Sequence, residues 1–240
     1  PFSRSNGSST QIIEPVAGFQ VAPNGGNSDQ IPNEDSQDIE FDETNLFSRN
    51  RFTGLDRVEG GQRLYYGLRF GIFGASGYSD GFIGQSYRPR RDNNFSSTSG
   101  LNDHFSDIVG RVSVQPSSPV KLQYRFRIDK DDLTAHRNEL SANVGPPALA
   151  LNLNYSFFDE GSGSGEFTDR EETTYGFSSQ ITPAWSINAS TRRDLQASRT
   201  LNHNIGLTYK CDCFTMKLSF DRAFTQDRDV RPSDTIFVRL

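Results

Sequence analysis

The stretch "VKLQYRFRI", residues 120–128, decides the fold. Val120, Leu122, Tyr124, Phe126 and Ile128 fall on one face, while Lys121, Gln123, Arg125 and Arg127 fall on the other. A repeat of two is the period of a β-strand, whose successive side chains point to opposite sides. The same rule runs outward in both directions. In "RLYYGLRFGIF", Leu64, Tyr66, Leu68, Phe70 and Ile72 alternate with Arg63, Tyr65, Arg69 and glycines. In "LALNLNYSF", Leu149, Leu151, Leu153, Tyr155 and Phe157 share a side, and "LNHNIGLTYK" and "FTMKLSF" continue the pattern. No segment carries a 3.6-residue period, so the chain reads as all-β.

Strands are expected near 11–22, 61–73, 81–88, 105–114, 120–128, 138–145, 148–158, 173–181, 185–192, 201–210, 214–222 and 235–240. Short linkers, "GASGYSD", "QPSSP", "PP", "TPA" and "CDC", alternate with long polar ones around 23–60, 89–104, 129–137, 159–172, 193–200 and 223–234. Short turns at one end and long loops at the other are the pattern of an antiparallel transmembrane β-barrel, with the turns periplasmic and the loops extracellular. A soluble sandwich is the competing reading of the same alternation.

Composition fits the membrane reading. Only 33% of the 240 residues are hydrophobic, and the mean hydropathy is −0.64. A soluble core of this length uses more apolar residues. The modest net charge of −5 and the 19 Phe and 8 Tyr argue against disorder. The mixed charge lacks the basic excess of a nucleic-acid binder. A barrel wall needs an apolar residue only at every second position. Arg63, Arg69, Arg111, Lys121, Arg125, Arg127, Lys210, Lys217 and Arg239 all fall on the polar parity. A lipid-facing Arg or Lys at mid-depth costs about 2–4 kcal/mol, so this phasing implies one lipid face and one wet, basic lumen face. Trp185, Tyr209 and Phe214 flank short turns, where an interfacial girdle sits. The chain opens "PFSRSNGSST" without a methionine, as a fragment or processed product would.

Several features have two readings. The acidic run Asp29, Glu34, Asp35, Asp38, Glu40, Asp42 and Glu43 reads as a solvated loop rather than a divalent-cation site, since its spacing is not that of an EF-hand. Arg49, Arg51 and Arg57, which follow it, suit either lipid phosphates or internal carboxylates. Pro15 removes a ladder donor and predicts a bulge or weak pairing. Gly67, Gly71 and Gly206 lie on the inward parity, leaving space for a plug or substrate, or marking a tight bend. His203 has the parity and depth of a barrel phospholipase's histidine, but Ile205 stands where its nucleophilic serine would be. A histidine without a nucleophile does not run acyl transfer, so no enzyme is expected. A passive porin stays open as an alternative, since a basic lumen suits anions.

"IIEPVAGFQVAPN" followed by "IPNEDSQDIEFDETNLFSRNRFTGLDRVEGGQRLYYGLR" resembles the C-terminal barrel region of the LptD family, the outer-membrane lipopolysaccharide (LPS) assembly proteins, most specifically in "NLFSRNRFTGLDRVEGG". The end, "CDCFTMKLSFDRAFTQDRDVRPSDTIFVRL", resembles the family's last strands with their cysteine pair. The resemblance implies that residues 1–240 are about the last 12 strands of a barrel of about 26, without its N-terminal periplasmic jellyroll and first strands. It implies translocation and insertion of LPS into the outer leaflet, with no covalent chemistry, cofactor or metal. The implied partners are LPS, an LptE-like lipoprotein plug, a periplasmic LPS bridge protein and the barrel assembly machinery. Cys211 and Cys213 are implied to pair with cysteines of the absent N-terminal domain, although Asp212 separates two cysteines that are often adjacent in the family. In an oxidising periplasm the other reading is two unpaired thiols in a turn. The last strand, Thr235, Ile236, Phe237, Val238, Arg239 and Leu240, is implied to flank a lateral gate, or else to be a signal for insertion.

Overall fold

The structure is a computed structural model that describes residues 1–24, 27–28, 30–36, 40–96, 98–117, 119–159, 170–225 and 231–240. Its strands are β1 (Phe2–Asn6), β2 (Ser9–Val21), β3 (Gln62–Gly74), β4 (Tyr78–Tyr87), β5 (Ile108–Ser117), β6 (Val120–Ile128), β7 (Ala135–Val144), β8 (Ala150–Phe158), β9 (Arg170–Gln180), β10 (Trp185–Asp194), β11 (Arg199–Lys210), β12 (Thr215–Ala223) and β13 (Ser233–Arg239). They form one sheet in sequence order from β1 to β13. Every pairing with a defined register is antiparallel, as in a meander of hairpins.

Twelve of the 13 strands fall where the two-residue period places them. The exception is β1, because "FSRSN" has no alternating apolar residues. Its turn was the available signal. Asn6 pairs with Ser9 across a two-residue loop, and Gly7 takes φ +58°, a conformation that glycine adopts without strain. The connection expected over 193–200 is also shorter than a long loop. β10 continues to Asp194 and β11 begins at Arg199, with a register shift at Arg192/Arg193.

Pro15 makes no bulge. It stands opposite Leu68 in an unbroken register that runs from Ser9↔Gly74 to Val21↔Gln62. β1 stops pairing with β2 at Phe2↔Ile13, so at Pro15 that edge of β2 has no neighbour strand among the described residues. A proline costs little on such an edge. The inward glycines hold neither plug nor void. A Cβ at Gly67 would lie 2.5 Å from the Phe82 ring, one at Gly71 2.6 Å from the Phe73 ring, and one at Gly206 2.5 Å from Asn188 Oδ1. Neighbouring wall side chains fill these positions. Gly84 does accommodate a loop, since its missing Cβ would meet Leu46 Cδ2 at 2.5 Å.

By contacts the chain divides into two compact units. One holds residues 1–114, 123–138 and 157–170, and the other holds 115–122, 139–156 and 171–240. The first contains the buried apolar cluster of Phe41, Leu46, Phe52, Phe82, Phe95, Leu101 and Val109, with Phe47 and Tyr65 packed against it. Five of its seven buried members come from the connections 22–61 and 88–107, not from strands. Those connections therefore fold onto one face of the sheet. The opposite face is apolar and open, with Leu68 38% and Tyr124 39% exposed against Arg127 at 1%. In the second unit Leu151, Ile205 and Leu218 are likewise exposed. An apolar face of this kind suits hydrocarbon as its solvent.

In the second unit an aromatic group gathers at a short-turn end. Trp185 stands opposite Tyr209 with ring centroids 4.8 Å apart, and Phe214 lies 5.5 Å from Tyr209.

Candidate functional site

The charged face of the first unit is built where wall arginines meet the two folded connections. Glu59 is its centre. Its carboxylate takes Arg51, Arg63 and Arg88 together, and all four side chains are nearly fully buried. Arg88 reaches on to Asp92 at 2.7 Å. Arg63 also donates to Gln20 Oε1 at 2.6 Å and to the Arg49 carbonyl at 3.1 Å. The Arg51 guanidinium lies 5.5 Å from the centre of the Phe41 ring and 5.6 Å from that of Phe95, where a cation is attracted to the ring face. Burial by itself raises the Glu59 carboxyl. The hydrogen bond and charge of Arg51, with the charge of Arg63, outweigh it and hold the group at about 2.

A second cluster ties the acidic run to β6 and β7. Arg125 donates to Asp42 at 2.8 Å and to Glu43 at 2.9 Å. Arg137 meets Glu40 at 2.9 Å and Asp42 at 3.3 Å, and lies 5.3 Å from the Phe158 ring centre. Burial raises the Asp42 carboxyl, but hydrogen bonds from Thr44 and the charges of Arg137 and Arg125 bring it below the usual range.

Asp35 of the run and Asp56 beyond it hold turns. Asp35 accepts from the N–H groups of Leu55 and Asp56, and Asp56 accepts from those of Glu34 and Asp35. Within the run Asp42 and Glu43 are taken up by wall arginines and Asp35 by backbone N–H groups, while Glu34, Asp35 and Glu40 stay exposed, so the solvated-loop reading holds for part of it. Asp29 and Asp38 lie outside the described residues. Arg51 takes the internal-carboxylate option, and Arg57 donates to the Ser28 carbonyl at 3.2 Å.

A third cluster fixes the connection 88–107. Arg127 donates to the Ser99 carbonyl at 3.1 Å and lies 3.4 Å from Asp107, which His136 Nδ1 approaches to 3.0 Å. Asp107, Asp129 and His136 bring their ligand atoms within 4.8 Å of one another. The Arg127 guanidinium already supplies the positive charge beside Asp107, and Asp129 accepts from the N–H of Asp131 at 2.6 Å. The donor set suits internal pairing better than a divalent ion.

The row of nine cations divides by position along the strands. Arg63, Arg125 and Arg127, at loop ends, are covered and paired. Arg69 and Arg111 sit nearer mid-strand and form partly exposed pairs with Glu14 at 3.6 Å and Asp80 at 3.2 Å. Lys121, Lys210, Lys217 and Arg239, at turn ends, are exposed and make no ion pair among the described residues. Lys217 and Arg239 stand directly opposite one another. Glu59, Arg88, Asp107 and Arg137 were not legible as site residues. Arg137 falls just before the strand expected at 138, and the other three lie in or at the ends of connections whose folding inward no period announces.

Cys211 and Cys213 are free thiols in the β11–β12 turn, Cys213 the more exposed. Backbone N–H groups of Cys213 and Phe214 hold the Cys211 thiol below its usual range. In β13, paired to β12 from Ser233↔Ala223 to Arg239↔Lys217, every residue is exposed, and Phe237 shares the face of Ser219 while Ile236 and Val238 share that of Phe220 and Leu218. His203 Nδ1 lies 3.0 Å from the Thr191 hydroxyl and its ring packs edge-on to Phe224. No carboxylate orients that imidazole among the described residues.

An antiparallel meander with an open apolar face, and with arginines and inserted connections on the other, is the wall of a transmembrane β-barrel. The chain belongs to the LptD family: the family profile described as LPS transport system D matches residues 1–185. Three curated relatives, each named LPS-assembly protein LptD, agree. The one from Thiobacillus denitrificans is 22% identical over 96% of this chain and 31% of its own length. Those from Pseudomonas aeruginosa and Pseudoalteromonas translucida are 26% and 23% identical over 87% and 90% of this chain, and 26% and 29% of theirs. The chain thus spans less than a third of these relatives. Among solved structures, a double mutant of the Rh. blastica porin matches 89% of this chain and 74% of its own, at 10% identity and a TM-score of 0.38.

Proposed function

We propose that this chain is the C-terminal part of an outer-membrane barrel that translocates LPS and inserts it into the outer leaflet, without covalent chemistry. Membership of the LptD family supports this reading. The observation that carries it against a passive porin is the burial of Glu59 among Arg51, Arg63 and Arg88. A porin needs a water-filled lumen. Here the connections 22–61 and 88–107 are anchored on the charged face by paired, desolvated side chains, which is the arrangement of a plugged wall.

In this reading the turns are periplasmic and the loops extracellular, with an N-terminal jellyroll and the first strands lying outside residues 1–240. The open turn-end cations Lys121, Lys210, Lys217 and Arg239 then face incoming anionic lipid handed over by a periplasmic bridge protein, or an LptE-like plug. Cys211 is the thiol poised for exchange with a cysteine of the N-terminal domain, since its lowered pKa raises its thiolate fraction. β13 is one side of a lateral gate.

The test is an engineered disulfide from Phe237→Cys to the first strand of the full-length barrel. Export of LPS to the cell surface stops while the barrel still assembles. Normal surface LPS with the crosslink fully formed assigns residues 235–240 to insertion instead and refutes the gate.

A further inference from the structure

The turn between β1 and β2 lies in "SNGSST", residues 5–10, where glycine directly follows Asn6. Gly7 takes the positive φ and Ser8 does not, which is the pattern of a type II′ turn between Asn6 and Ser9. Nothing lies within 4 Å of where a Gly7 Cβ would stand, and Asn6, Gly7 and Ser8 are all exposed. Every residue of the short strand β1 is exposed as well.

Other loop asparagines are locked. Asn27 donates to the Val58 carbonyl at 2.9 Å and accepts the Val58 N–H at 2.8 Å. Asn45 donates to the Glu40 carbonyl at 2.6 Å and accepts the Asp42 N–H at 3.0 Å. Asn50 accepts the N–H groups of Phe52 and Glu59. The Asn6 amide and the Gly7 N–H have no hydrogen-bond partner among the described residues. Asn27, Asn45 and Asn50 are followed by Ser28, Leu46 and Arg51, whereas Gly7 has no Cβ to screen its nitrogen. That nitrogen and Asn6 Cγ are the two atoms whose bonding closes a small, unstrained cyclic imide.

We infer that Asn6 is a site of spontaneous deamidation through this imide, and that the modification loosens the β1–β2 hairpin. Ring closure requires Asn6 to leave its extended pairing with Ser9, and a short strand with no buried side chain opens at little cost. Hydroxide takes the Gly7 N–H proton, the nitrogen attacks Asn6 Cγ, and the Cγ–Nδ2 bond breaks. Ammonia leaves with a proton from water, which regenerates the hydroxide. Water then opens the imide: cleavage at Cγ gives aspartate, and cleavage at the main-chain carbonyl gives isoaspartate. The net change is water taken up and ammonia lost. Isoaspartate adds a methylene to the main chain and turns the Asn6 carbonyl into a free carboxylate. A hairpin's register follows its loop length, so the pairs from Asn6↔Ser9 to Phe2↔Ile13 lose their match.

The experiment ages the full-length protein in detergent at mildly alkaline and at mildly acidic pH. Peptides containing residue 6 are then sequenced by electron-transfer mass spectrometry, which separates isoaspartate from aspartate. Isoaspartate accumulates at position 6, faster in the alkaline sample because the attacking nitrogen must lose its proton. The product is lost in Asn6→Gln, whose longer side chain has to close a larger ring. An intact Asn6 in the aged alkaline sample overturns the inference, whether or not Asn24, the other asparagine that precedes a glycine, has reacted. Equal accumulation at the two pH values also overturns it, since the imide route is base-promoted. Hydrogen exchange over residues 2–13 tests the consequence. Aged protein loses protection there, while fresh Asn6→Asp, which carries the charge without the extra methylene, keeps it. Unchanged protection in aged protein overturns the loosening of the hairpin, and an equal loss in Asn6→Asp overturns main-chain lengthening as its cause.

Discussion

Replacing Glu59 by Gln tests whether the charged core holds the inserted connections in place. Glu59 is a buried carboxylate between three arginines. Its carboxyl is lowered from 4.5 to about 2, and at 1.36 kcal/mol per pH unit the ionised form is favoured by about 3 kcal/mol. The amide keeps the shape but removes the one charge that the arginines share, leaving buried cations uncompensated. Segment 40–59 should then open more often by roughly 100-fold at neutral pH. Where opening is fast, cleavage follows the open population. Trypsin should therefore cut after Arg49, Arg51 and Arg57 about that much faster in the variant, in the full-length protein and with heat-modifiability unchanged.

The pH dependence has a defined sign. A lowered carboxyl contributes stability that is complete above its unfolded value and is lost as pH falls through its folded value. Hydrogen-exchange protection of residues 40–59 should decay between about pH 5 and pH 2 in the wild type. Glu59→Gln should lose most of that decay, keeping the part that Asp42, also lowered, contributes. Equal trypsin cleavage of the two proteins at neutral pH would refute the reasoning, because it would mean that the apolar cluster alone holds the segment.

Two further outcomes follow from the faces and the turn. Tyr124→Arg puts a cation on the open apolar face at the middle of β6, at a cost of about 2–4 kcal/mol at mid-depth, so its folding yield in lipid vesicles should drop sharply. Gln123→Arg on the other face should fold normally, and equal yields for the two variants would invert the assignment of faces. In the full-length protein after reduction, Cys211 should react with a maleimide faster than Cys213 at mildly acidic pH, because the backbone donors at Cys213 and Phe214 favour its thiolate. Peptide mapping by mass spectrometry reads the ratio, and preferential labelling of Cys213 would count against this.

Twelve strands, their antiparallel order and the phase of their two faces are legible in the order of residues along the chain. Alternation is a local property: Leu122 and Arg125 take opposite faces whatever else the protein does. The membrane reading follows equally locally, since nine cations on one parity need no knowledge of their partners. β1 escapes the period because "FSRSN" has no apolar side to show, and only pairing with β2 makes it a strand. The connections are where sequence reasoning stops. An acidic stretch followed by arginines has the composition of a solvated loop, and its charges carry no period. Arg125 lies 83 positions along the chain from Asp42, and Arg88 lies 29 from Glu59. Such pairs exist only once the wall has brought strands β3, β4, β6 and β7 under the two connections. Burial then turns those charges from solvated surface into a core, because a desolvated arginine must find its carboxylate within the protein.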